Sequence, residues 1–245
     1  MVQSSSRNEQ PMLKRLCLQR DNYRCIVTGT IDPAAEKAYP DVVFDRTRMG
    51  PTHASHIIPF ALGIPFALGQ YQTAAQISFY FPYYYAPPKS EFQERDICHI
   101  WTTLFALFPA LRDAISADTI NEPKNVMTLL EVLNMQFGKL NFALEPTDEA
   151  NTYEIILYRG FPGVYRPYLP SPDVHGKRQV KFERHNHCDL PSCILLETHA
   201  AIARIFNVSG KADQIDKVLR DCDEIRCLAS DGSTDIETLL PILVW

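Results

Sequence analysis

With 245 residues the chain is long enough for one generous domain, and its 46% hydrophobic and 22% charged content is that of an ordinary globular protein rather than a disordered or fibrous one. The net charge of −5 speaks against a protein that wraps nucleic acid with most of its surface, because phosphate neutralisation supplies most of that affinity. No uninterrupted run of about 18 apolar residues is present for a membrane span, and the polar opening MVQSSSRNEQ lacks the apolar stretch of a secretory signal.

Seven cysteines at 17, 25, 98, 188, 193, 222 and 227 form no CxxC pair. Reduced thiols in the cytoplasm, or alternatively the nucleus, are expected, and a structural zinc site is not. Residues 1–11 read as a disordered tail and 12–245 as a single domain, with a core at 23–146 and a C-terminal extension at 147–245.

In chain order, Leu13, Leu16 and Cys17 fall on one face of a helix running from Met12 to Asn22. YRCIVTGT (23–30) reads as a short strand closed by Gly29. HASHIIPF (53–60) reads as a strand entering a proline turn, after which IPFALG occurs twice in tandem (58–63 and 64–69). An aromatic run, ISFYFPYYYAPP, follows at 77–88. The apolar stripe of Ile97, Trp101, Leu104, Phe105 and Phe108 predicts a helix over 91–115, interrupted at Pro109. Asn125 stands as an N-cap before a second helix, VMTLLEVLNMQF. FALEP, TYEIILY and QVKFE read as strands, and PSCILLETHAAIARIFNVSG as a helix, with another at 213–222. The fold class is α+β.

Three pieces of this layout occur in a telling order: CIVTG at 25–29, ASHIIPF at 54–60, and NVMTLLEVLNMQFGKL at 125–140. Together they resemble the HNH (ββα-metal) nuclease family, in particular a branch common in fungal proteins, over most of the chain from Leu13 onward. The resemblance implies a ββα-metal core with surrounding helices. It implies His56 as the general base and Asn125 as the residue that ties the loop to the strand. Asn134, nine residues after Asn125, takes the last site position, where the family has His. A side-chain amide oxygen can still ligate a hard cation. The residue before the base is Ser55, where an acidic residue or His is common in the family. His53 lies three before His56, and in a strand that odd spacing puts the two on opposite faces unless a bulge intervenes.

Each of these residues also has a plainer role. His56 could be a hydrogen-bonded core histidine, Asn125 a simple cap, and Asn134 a bond to a neighbouring loop. His53 could be a surface residue. His185, His187 and Cys188 suggest a metal, or merely a polar turn; His199 belongs to an apolar helix and reads as core.

From Gly50 to Pro146, five basic residues face eight acidic ones, a poor balance for holding phosphates. Apolar and aromatic side chains are abundant there instead, which suits a pocket for an apolar small molecule. Two functions from different classes therefore stand. In one, the scaffold is repurposed as a small-molecule enzyme without a cofactor. His56, Asn125 and Asn134 would then perform an acid/base isomerisation or cyclisation of an apolar fungal metabolite, with Phe60, Phe66, Tyr83, Tyr84, Trp101 and Phe105 lining the pocket. In the other, it is an endonuclease dependent on Mg or Mn held by His53 and Asn134, with nucleic acid as partner. A non-catalytic binding module is a third reading, and the aromatic run could alternatively serve a homodimer interface. No membrane partner is expected.

Overall fold

The computed structural model describes residues 10–59, 92–116 and 118–209. Helix α1 spans Gln10–Arg20, so the last two residues of the expected tail are already helical. A short α2 follows at Ala34–Ala38, then strand β1 at Thr52–His56. Helix α3 runs Phe92–Leu107 and α4 Leu111–Ala114, with the break at Pro109 where the missing N–H forbids continuation. Strand β2 is Val126–Leu130 and helix α5 Glu131–Gly138. Strands β3 (Phe142–Pro146), β4 (Thr152–Leu157) and β5 (Gln179–Lys181) precede helix α6, Cys193–Val208.

Two expectations are corrected. Val126 does not continue a helix begun at Asn125: residues 126–130 are a strand, and the helix starts only at Glu131. The reason is burial on all sides, since β2 is wholly buried between α1 and α5 and VMTLL, apolar but for Thr128, satisfies that as a strand. The CIVTG segment is a turn rather than a strand. The Gly29 N–H donates to the Cys25 carbonyl at 2.8 Å, and Gly29 has φ +70, the region glycine tolerates. The expected helix at 213–222 lies outside the described residues.

β1 and β2 pair antiparallel with His56 opposite Val126 and Thr52 opposite Leu130. The outer edge of β2 is not left bare. The Ile26 N–H donates to the Thr128 carbonyl at 3.0 Å, the Thr128 N–H to Asp21 Oδ2 at 3.1 Å, and Arg20 Nη2 to the Val126 carbonyl at 2.8 Å. One face of the ribbon packs Ala54 and Val126 on Leu13 and Cys17 of α1. Opposite pairs share a face, so His53, Ser55, Met127 and Leu129 form the other. There Met127, Leu129 and Leu133 are fully buried in the main core. The architecture is α+β with a ββα unit made of β1, β2 and α5.

Beyond this unit, β3, β4 and β5 form an antiparallel sheet in that order. Helix α6 lies close on β3 through Ala143, Ala200 and Ala203, whose small side chains permit the approach. The His199 ring stacks on Phe137 of α5 with centroids 3.7 Å apart, and its Nε2 lies 3.2 Å from the Phe137 carbonyl. The extension is thus packed directly onto the helix of the ββα unit.

Arg20 ties the layers together, a role the linear pattern did not show. It is fully buried. Its Nε and Nη2 grip both Asp21 carboxylate oxygens (2.7 and 2.9 Å), and Nη1 donates to the Pro123 and Asp189 carbonyls. Its own carbonyl accepts from the His185 N–H at 3.0 Å. The HNHC turn at 185–188 therefore docks on α1, with the His185 and His187 side chains exposed.

Candidate active site

His56 is the last residue of β1 and only 5% exposed. Its Nε2 lies 3.0 Å from Asn121 Oδ1, an oxygen that can only accept, so the proton sits on Nε2 and the lone pair on Nδ1. Burial pushes its pKa down to about 4, with the Asn121 bond opposing, and the ring is neutral at physiological pH. Asn121 went unnoticed in the sequence; its one signal is a position four residues before Asn125, in the turn that leads to β2.

Asn125 closes a 3-10 turn at Pro123–Asn125 and is fully buried. Its side-chain oxygen accepts from the Ile58 N–H at 2.8 Å, while Nδ2 donates to the Ile58 and Ile120 carbonyls at 3.0 and 2.9 Å. The Ile57 N–H donates to the Asn125 carbonyl at 2.8 Å. One amide therefore clamps the chain as it leaves β1 and also fixes the loop carrying Asn121. The amide acts from a turn and not from the helix N-cap expected of Asn125.

The pairing of β1 is continuous from Thr52 to His56 without a bulge. His53 and His56 consequently point to opposite faces and form no joint site. His53 faces α5, with Nε2 3.9 Å from Glu131 Oε1. Burial, and then Lys14, lower its pKa, which favours the neutral ring. Ser55 is on the same face as His53 and is 1% exposed, and its Oγ has no hydrogen-bond partner among the described residues. Asn134 follows Glu131 by three residues, hence on the same helical face, and its buried Oδ1 is also unpartnered. Buried polar atoms are nearly always paired, so two bare oxygens, one on β1 and one on the helix packed against it, call for an explanation.

Trp101 is buried in the main core and its ring lies 5.1 Å from that of Phe105. Phe60, Phe66, Tyr83 and Tyr84 lie outside the described residues, and with them most of the expected pocket wall. An open cleft among the described residues lies elsewhere, between β4 and the 172–178 turn. No helix among them is long and apolar enough to cross a membrane.

The family profile of HNH endonucleases matches residues 25–145. No curated protein and no solved structure matches the chain. The profile begins at the Cys25 turn and ends in β3, enclosing His56, Asn121, Asn125 and the whole ββα unit. Residues 25–145 are a domain of the HNH endonuclease family.

Proposed function

We propose that this domain is a divalent-cation-dependent endonuclease in which His56 is the general base. The observation that carries the reading is the match to the HNH endonuclease profile over 25–145; two buried oxygens without a partner among the described residues, Ser55 Oγ on β1 and Asn134 Oδ1 on α5, add to it. Such atoms are costly unless something binds them, at roughly 1–3 kcal/mol each.

HNH enzymes use a divalent metal, and the donors here can be tested for fit. Among the described residues no group of three His, Cys, Asp or Glu side chains is arranged to hold an ion. Mg²⁺ asks for less: one or two carboxylates with other oxygens, the rest of its shell being water and substrate phosphate. Ser55 Oγ, Asn134 Oδ1 and the Glu131 carboxylate fit that pattern, with His53 beside Glu131. When bound, the ion would stabilise charge on the phosphate and its leaving oxygen.

The remaining work belongs to the chain. His56 Nδ1 would take a proton from the attacking water, and the resulting imidazolium would keep its Nε2–H bond to Asn121. A ring with its pKa near 4 is fully in the basic form at pH 7, though a modest base. Asn125 keeps the chain at Ile57–Ile58 from drifting. Conversion of an apolar metabolite draws no comparable support, since Trp101 and Phe105 pack in the core.

The donor set gives a test with two readouts. Ser55→Ala and Asn134→Ala should leave the metal-free protein as stable as wild type or slightly more stable, because each removes an unpaired buried oxygen. Mn²⁺ binding, followed by electron paramagnetic resonance, should weaken about tenfold in each, roughly 1.4 kcal/mol. Variants that lose stability while binding Mn²⁺ as wild type does would give the oxygens a purely structural role.

A further inference from the structure

The extension beyond the family domain carries a cleft of about 410 Å³ between β4 and the 172–178 turn. Arg166, Lys177 and Arg178 line it, against a single lining carboxylate, Glu154. The turn is rigidly built. Asp173 Oδ1 accepts the N–H groups of His175 and Lys177, both at 2.8 Å, and Gly176 has φ +79. The Ile155 N–H donates to the Arg178 carbonyl at 2.8 Å, which fastens the turn to β4.

The cations are not equivalent. Lys177 is matched by Glu154 at 2.7 Å. Arg178 donates one terminal nitrogen to the Pro170 carbonyl, which anchors its guanidinium and leaves its other N–H groups without a partner among the described residues. Arg166 is exposed and its side chain has no partner among them. Two guanidiniums, one anchored and one free, thus line a concave site whose only lining acid is already paired. Guanidinium forks suit phosphate oxygens geometrically, and a cleft of this size lies within the range that holds a nucleotide unit.

We propose that this cleft binds a phosphate of a nucleic-acid backbone, giving the chain a second contact with its substrate outside residues 25–145. This rests on the endonuclease reading for the identity of the polymer, but not for the chemistry of the cleft.

The test is binding of a fluorescent DNA duplex to full-length protein carrying His56→Gln, so that cleavage does not intervene. Adding Arg166→Glu, an exposed change that touches no hydrogen bond, should weaken binding about tenfold near 0.1 M salt and reduce the slope of log K against log salt by about 1. Inorganic phosphate and a mononucleotide are the comparison ligands. Tight binding of either, lost in Arg166→Glu while duplex binding persists, would assign the cleft to a small phosphorylated ligand and overturn the proposal. Unchanged duplex affinity and slope would also overturn it. In protein with His56 intact, cleavage insensitive to Arg166→Glu would sink the cleft and spare the endonuclease reading; the converse, Arg166-dependent binding without cleavage, would do the reverse.

Discussion

Arg20→Met should cost about 3–5 kcal/mol of unfolding free energy, the range for breaking a buried charge pair by removing one partner. Methionine matches much of the volume but leaves Asp21 buried without its counter-ion and strips the Pro123, Val126 and Asp189 carbonyls of their donor. Against a total stability of roughly 5–15 kcal/mol for a domain, that brings the protein near unfolding at physiological temperature. Arg20→Lys keeps the charge yet cannot reproduce the fork, and should fall between the two. Urea denaturation of all three proteins measures it. A loss below about 1 kcal/mol for Arg20→Met would show that the layers meet without this hub.

Acid should destabilise the fold steeply between pH 6.5 and 4. His56 and His199 are both buried, and burial pushes each pKa down to about 4, the Asn121 bond and the Phe137 carbonyl opposing it. In the unfolded chain both return to about 6.5, so below that pH the unfolded state binds protons that the native state does not. Their contribution is therefore complete above pH 6.5, is lost as pH falls toward 4, and changes no further below it. Each group is worth roughly 3 kcal/mol across that window, and the two together give a slope approaching about 2.7 kcal/mol per pH unit. His199→Gln, whatever its effect on absolute stability, should halve that slope. Denaturation midpoints independent of pH between 6.5 and 4.5 would mean that both rings protonate in place.

Much of this was legible in the sequence, for identifiable reasons. His56, Asn125 and Asn134 carry a side-chain order tied to the chain's local geometry, and ordered local motifs survive in linear form. The strand–strand–helix sequence was only half legible. VMTLL is buried on both faces and apolar but for Thr128, and such a short run without alternation reads equally well as the start of a helix. CIVTG misled by composition: Cys25 to Val27 are residues of a strand, but the Gly29 bond back to Cys25 makes the segment a turn whose Ile26 N–H serves β2. Arg20 and Asp21 were illegible, since their partners lie up to 169 residues away and their sequence neighbourhood is that of an amphipathic helix end. Asn121 is a similar case at shorter range. The charge count over 50–146 pointed away from nucleic acid, and residues 147–245 do not reverse it, with 11 basic side chains against 15 acidic ones; the placing of Arg166 and Arg178 on one cleft is a local arrangement that no count shows.

The orphaned oxygens have a further consequence for the economy of the fold. Ser55 shares its face of the ribbon with Met127 and Leu129, so a protein optimised for stability alone would place alanine there. Thr128 Oγ1 on β2 is a further buried oxygen without a partner among the described residues.

The central claim is that His56 and an oxygen-held cation hydrolyse nucleic acid. The most direct measurement is cleavage of supercoiled plasmid and of single-stranded DNA by purified protein, with Mg²⁺, with Mn²⁺ and with chelator. The account predicts cleavage with either ion, none with chelator, and a loss of about 10²–10⁴-fold in His56→Gln with the circular dichroism spectrum unchanged. Activity should hold level from pH 8 down to about pH 5, because the base stays neutral until its lowered pKa is approached. Absence of cleavage under every condition in correctly folded protein, or cleavage that persists undiminished in His56→Gln, would contradict it.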